Sequence, residues 1–174
     1  MKYPLLLLSA GLSLAFSPAQ AQSSPRALDA RNGFLDAKFG MPASELEGVR
    51  LTSTVGAKQV YERVGKLPTL GGNKLSRVHY TFYNNQLCSI MLNVAGKSNN
   101  DGVLRTLQQA YGTGTAEGRT RTWEGRTVSL VFGTMGQDQA NGVVSVSNKA
   151  LVKQMQTRGA VGQPQRSVLS SEGQ

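Results

Sequence analysis

One cysteine, one histidine and one tryptophan occur in 174 residues, and each scarcity closes off a chemistry. With Cys88 alone, no intrachain disulfide can form, so packing must hold the fold. Cys88 falls in a strand pattern, where a small buried hydrophobe is the expected role. With His79 alone, a multi-histidine metal site is impossible, and a Ser-His-Asp or Cys-His system would have to run through that one ring. His79 stands in an apolar strand pattern, which suits a structural or surface histidine. No G-x-S-x-G nucleophile elbow follows the N-terminal segment. Acidic residues are few as well, 10 Asp and Glu against 19 Lys and Arg, for a net charge of +9. A carboxylate pair drawn from Asp36, Glu45, Glu62, Glu117 and Glu124 is the one route left to an enzyme, a small hydrolase, but scattered acids are ordinarily a solvated surface. Gly112, Gly114 and Gly118 imitate a phosphate loop in composition only. They follow a helix pattern, whereas a dinucleotide fingerprint follows a strand. No cofactor and no metal is expected.

Long apolar runs are confined to the start of the chain. Lys2 supplies a positive n-region, Pro4 to Phe16 an apolar h-region, and Ala19-Gln20-Ala21 a cleavage site, so residues 1–21 read as a signal peptide. The apolar run falls short of the roughly 20 residues a membrane span needs, and no later segment is more apolar. The expected location is therefore exported, periplasmic or secreted, with no transmembrane segment in the mature chain. The basic residues never gather into a run, so nucleic acid is not an expected ligand. An envelope protein or an anionic surface polymer suits the charge better.

What is present is organised around Leu75 to Val94, LSRVHYTFYNNQLCSIMLNV. Two β-rich runs flank Asn84-Asn85, a pair that tolerates positive φ, which is a hairpin signal. Val78, Tyr80 and Phe82 share a face with Leu87, yet the apolar sequence continues as Ile90 and Leu92, of the opposite parity. Either both faces are covered or a β-bulge lies near Leu87 to Ser89; the bulge is preferred because it gathers all these residues into one core.

Residues 22–32 read as a flexible leader, Phe34 to Phe39 as a short strand, and MPASELEGV as a two-turn helix weakened by Gly48. Strands over Leu51 to Thr54 and Gln59 to Val64 follow, and LPTLGGNK reads as a loop. DGVLRTLQQAYG places Val103, Leu104, Leu107 and Tyr111 at helical spacing, with N-cap candidates in Ser98 to Asp101 and Gly112 at the C-terminus. TGTAEGRTR reads as a loop, TVSLVFG and VVSVS as strands, and KALVKQMQ as a short helix capped by Asn148. Residues 157–174 have the composition of a disordered tail, leaving residues 33–156 as a single domain. The expected fold class is α+β: a single antiparallel β-sheet with a central hairpin (75–94), one face covered by a main helix (about 100–111) and short flanking helices.

One stretch has recognition character, EGRTRTWEGR. Arg119, Arg121 and Arg126 surround Trp123, and Arg with Trp is a pairing enriched in binding hot spots. The plainer alternative is a basic loop whose Trp closes the core of the sheet. The expected function is an exported, non-enzymatic binding or interaction domain of unknown ligand, with the carboxylate-dependent hydrolase or a structural envelope protein as alternatives.

NGFLDAKFGM, LSRVHYTFYNNQLCSI, LQQAYG, WEGRTVSL and SNKALVKQ together resemble a group of small exported bacterial proteins of unassigned function. Their pattern is N-G-F-x-D-x-K-F-G-M, then Y-x-F-Y-x-x-x-L-x-S-I, Y-G and W-x-G, and it covers about residues 32 to 156. Pro42 and Cys88 stand where Ser and Tyr would be commoner. The resemblance implies no catalytic or binding residue.

Overall fold

The computed structural model describes residues 26–136 and 138–161. In chain order these form helix α1 (Arg26–Arg31), strands β1 (Gly33–Phe34) and β2 (Ala37–Lys38), a 3-10 turn (Ala43–Glu45), β3 (Val49–Val55) and β4 (Lys58–Arg63). Then come β5 (Thr69–Leu70), β6 (Asn73–Lys74), β7 (Arg77–Tyr83), β8 (Gln86–Ala95) and helix α2 (Lys97–Tyr111). The chain continues through β9 (Thr115–Glu117), β10 (Thr120–Glu124), β11 (Val128–Met135), β12 (Asn141–Asn148) and helix α3 (Lys149–Val161).

The expected α+β class is corrected by this architecture, which is mostly β. Eight strands form one antiparallel sheet in the order β3-β4-β7-β8-β12-β11-β10-β9, and β1-β2 and β5-β6 form two further sheets of two strands each. Helix α2 does not cover a face as its main layer. It shares the core with α1 and the β1-β2 hairpin, while α3 rests on β8 and β12 and none of its described side chains joins that core. The miscount arises where strands are too short for a period to show. LPTLGGNK is not a loop but β5 and β6 turned by Gly71 and Gly72, both at positive φ, and most of TGTAEGRTR is β9 and β10.

Other boundaries move for local reasons. FLDAKF is two strands joined at Leu35 and Asp36, with Leu35 at φ 54°. MPASELEGV keeps only one 3-10 turn, because Leu46 is already extended and Gly48 lies at φ 66°. Helix α2 begins at Lys97 behind Gly96, so none of the polar cap candidates in Ser98 to Asp101 caps it. Part of the expected leader is ordered: residues 26–31 are α1, and Leu28 is fully buried. At the other end α3, capped as expected by Asn148 Oδ1 accepting from Leu151 N at 3.1 Å, runs to Val161. The expected signal peptide, residues 22–25 and the tail from 162 lie outside the described residues.

The central hairpin forms as its sequence implies. Asn84 and Asn85 have φ of 49° and 59°, the double positive of a type I′ turn, whose twist matches that of the flanking strands. Phe82 pairs with Leu87 but Thr81 pairs with Ser89, so Cys88 is the extra residue of a bulge. The shift puts Val78, Tyr80, Phe82, Leu87, Ile90 and Leu92 on one face, all fully buried. Val103, Leu107 and Tyr111 of α2 join that core, whereas Leu104 is half-buried. β11 and β12 continue it with alternating Val128, Leu130, Phe132, Val144 and Val146.

Candidate functional site

The Arg/Trp stretch does not form one surface. Trp123 is 1% exposed, and its indole N–H donates to the Gly112 carbonyl at 2.7 Å. That bond fastens β10 to the end of α2, where the last helical carbonyls lack partners. A Cβ on Gly114 would come within 2.8 Å of the indole ring, so only glycine lets the chain pass so close to it. Trp123 is therefore a core residue unavailable to a partner, which corrects its place in the expected site. Arg126 lies beyond the far end of β10, whose first residues follow Arg119 and include Arg121, so the strand holds it apart from both by roughly 10 Å or more at about 3.3 Å per residue.

Arg126 stands instead at a different feature, which sequence reasoning missed. Asp29 of α1 accepts hydrogen bonds from the backbone N–H of Arg126 at 2.6 Å, Thr127 at 2.8 Å and Val128 at 3.0 Å, and from the Thr127 hydroxyl at 2.8 Å. Successive N–H groups turned inward make an anion-binding concavity, here filled by the protein's own carboxylate. Burial works to raise the Asp29 pKa, but the bonds from Thr127, Arg126 and Val128 outweigh it and hold the group well below the usual carboxylate range. Gly125 belongs to this nest, since a Cβ there would lie 2.5 Å from Asp29 Oδ1. The W-x-G segment is thus a clamp for α1. No local signal announces it, because the partners lie 97 to 99 residues apart.

Arg119 and Arg121 do come together. They line a groove of about 200 Å³ between α2 and β9–β11, with Leu104, Phe132, Thr134 and Gln139 also at its wall. Each guanidinium is steadied by one backbone carbonyl: Arg119 Nη1 donates to Gly136 O and Arg121 Nη1 to Thr113 O, both at 2.7 Å. Neither is ion-paired with a carboxylate among the described residues. Asp101, also at the groove, is engaged by Lys97 at 3.2 Å.

The opposite end of the sheet carries a second, wider groove of about 640 Å³, lined by Leu46, Val49, Gln59, Tyr61 and Asn85 among others. Tyr61 packs edge-on against Phe82 with ring centroids 5.3 Å apart. Beside it Arg63 donates from Nε to the Tyr80 hydroxyl at 2.9 Å and pairs with Asp36. This Tyr–Arg–Asp chain, running from buried Tyr80 out to exposed Asp36, ties β4 to the β1-β2 turn. Sequence reasoning missed it too, since 17 and 27 residues separate Arg63 from its partners.

The remaining candidates are dispersed. Cys88 is buried, its Sγ 3.2 Å from the Thr81 carbonyl, and burial pushes its thiol up to about 11, far from a working nucleophile at neutral pH. His79 is half-buried, on the face of β7 opposite Tyr80. Glu62 and Glu124 are separated by four intervening strands, roughly 24 Å at about 4.8 Å per spacing, well beyond the reach of a glycosidase pair. Glu62 is held by Arg77 and Arg50, and Asp36 by Arg63. Burial would raise the Glu124 pKa, but Lys149 and Ser129 keep it below its ordinary value. Glu45 lies in the 3-10 turn and Glu117 on β9, at opposite ends of the molecule's main sheet. Among the described residues, no group of three or more His, Cys, Asp or Glu side chains is placed to hold a metal ion. No helix among them is long and apolar enough to cross a membrane. No protein-family model, no curated protein and no solved structure matches the chain, so the functional reading rests on its own geometry.

Proposed function

We propose that the protein is an exported, non-enzymatic binding domain that holds an anionic surface polymer through the groove at Arg119 and Arg121. One observation carries this reading: two guanidiniums line the same groove, each oriented by a backbone carbonyl and neither neutralised by a carboxylate among the described residues. A guanidinium has five N–H donors, so one bond to a carbonyl leaves a fork of donors for an oxyanion. Orientation before binding reduces the side-chain entropy lost on binding. The excess of 19 basic over 10 acidic residues adds long-range attraction for a polyanion. Half-buried Leu104 beside the arginines favours a polymer with apolar ring faces, such as a chain of uronic acids.

Titration of the mature chain with a soluble polyuronate, at several salt concentrations, tests the reading. Charge-assisted hydrogen bonds contribute about 1.5–3 kcal/mol each, so Arg119→Ala with Arg121→Ala should weaken binding by about a hundredfold or more. Arg126→Ala, on the far side of β10, should change it by less than about twofold. Equal losses in both variants would mean unspecific attraction to net charge, and the groove would lose its role.

A further inference from the structure

The two ends of the sheet present different chemistry, and the β3 end points to a second binding surface. β3 is an edge strand of seven residues, paired to β4 on one side and, among the described residues, to no strand on the other. Six of its residues are exposed. Leu51 is 46% and Val55 72% exposed, and with Val64 they make three of the five large exposed hydrophobics among the described residues. Singly exposed apolar residues need no explanation, but three on one hairpin beside a free backbone edge do. Leu51 pairs with Tyr61 and so looks toward the 640 Å³ groove, which Tyr61 and Val49 line.

We propose that β3 accepts a short, acidic, extended peptide that adds to the sheet as a further strand. The unpaired N–H and C=O groups of β3 supply the ladder, and alternate side chains of the peptide meet Leu51 and the groove on one face. Charge selects the sign of the partner. β3 has no acidic residue; Arg50 projects from it with 69% of its side chain exposed, and exposed Lys58 stands opposite Val55. Glu62 binds Arg77 at 3.1 Å and Arg50 only at 3.7 Å, so Arg50 is loosely held. The bulge at Thr52 limits the partner's length. It breaks the register between Leu51 and Ser53 and turns the Thr52 hydroxyl back to Val60 O at 3.0 Å, splitting the edge into two short runs. Such an edge resists the endless pairing of flat strands, and the net charge of +9 repels a second copy of the chain.

The probe is an immobilised pool of seven-residue peptides, alternating apolar with variable polar positions, exposed to the mature chain. Retained peptides should be enriched in Asp and Glu over Lys and Arg, and should slow hydrogen exchange at β3 and nowhere else in the sheet. Leu51→Glu with Val55→Glu should lower retention by about tenfold, a hot-spot-sized loss, without changing the melting temperature, because both side chains already face solvent. Arg50→Glu should shift the selection toward basic peptides. The proposal is overturned if no peptide is retained, if the pool shows no acidic bias, or if the double variant retains peptides as well as the parent. Protection of β3 that appears without peptide and grows with protein concentration would assign the edge to a second copy instead, and would equally overturn it.

Discussion

β9 is three residues long and β3 is seven, and each leaves one side of its backbone unpaired by the sheet. At the β9 end, side chains tie down the turns that flank the strands. Thr120 Oγ1 donates to Glu117 O at 2.8 Å, and Arg119 and Arg121 donate to Gly136 O and Thr113 O. Just inside lie buried Trp123 and the Asp29 clamp. At the β3 end the Thr52 hydroxyl bonds to Val60 O within the bulge and Arg63 joins Tyr80 and Asp36 one strand inside, while at the edge itself one loosely paired arginine stands beside exposed Leu51 and Val55. Short strands, bulges and charges are the ordinary defences of sheet edges, and this chain uses a short strand at the β9 end and a bulge with an arginine at the β3 end. The β9 end meets the core through Trp123 of β10 and carries a polar, charged groove, while the β3 end meets it through half-buried Val49 and Tyr61 and leaves Leu51 and Val55 exposed.

Substitutions measure how far the two ends differ. The largest loss is expected for Trp123→Ala, about 3–5 kcal/mol for the buried ring, with the Gly112 carbonyl also losing its donor. Leu51→Ala at the other end should stay within about 0.5 kcal/mol. Urea melts that returned similar losses for both would erase the distinction. Next comes Leu107→Ala, at about 2–5 kcal/mol, because Leu107 is buried on α2. Leu104→Ala should cost visibly less, since that half-buried side chain borders the arginine groove; equal costs would place the groove inside the core.

A smaller effect is expected at Asp29, and its sign depends on pH. The carboxyl is held ionised in the folded chain below the value of 3.8 that it has when free. Its contribution is therefore complete above that value and is lost as pH falls from about 4 toward the lower folded value, because the unfolded chain then takes up a proton that the folded chain refuses. The slope is at most about 1.4 kcal/mol per pH unit, and solvent at this partly exposed site reduces it. Asp29→Asn should flatten that part of the stability profile. A variant curve parallel to the parent's would show that the nest does not hold α1. The smallest effect is expected for Arg126→Ala, within about 0.5 kcal/mol, since only its backbone N–H takes part in the clamp.

The parts of this fold that were legible in the sequence are those with a long local period or a strong turn. The Asn84-Asn85 hairpin, its bulge near Leu87 to Ser89 and the buried stripe of α2 at Leu107 and Tyr111 were of this kind. Strands of two or three residues such as β5, β6 and β9 have no period, so glycine-rich turns read as loops and the β content was underestimated. α1 was hidden for another reason: one buried leucine and one aspartate in a polar stretch carry no amphipathic pattern, and their partners are distant in sequence. For the candidate site, composition singled out a segment but not the directions its side chains take. Arg121 and Trp123 share one face of β10, yet Trp123 goes into the core while Arg121 joins Arg119 at the groove, and Arg126 lies beyond the far end of the strand.

The contrast between the two ends is tested most directly by native-state hydrogen exchange, read residue by residue. Amides of β10 and β11 that bond across the ladder are expected to exchange only through global unfolding, as those of β8 do. The outward-facing amides of β3 are expected to exchange almost as fast as an open chain, and those bonded to β4 to exchange through a local opening that leaves the core intact. Protection along β3 equal to that of β8, or β10 opening before β3, would contradict it.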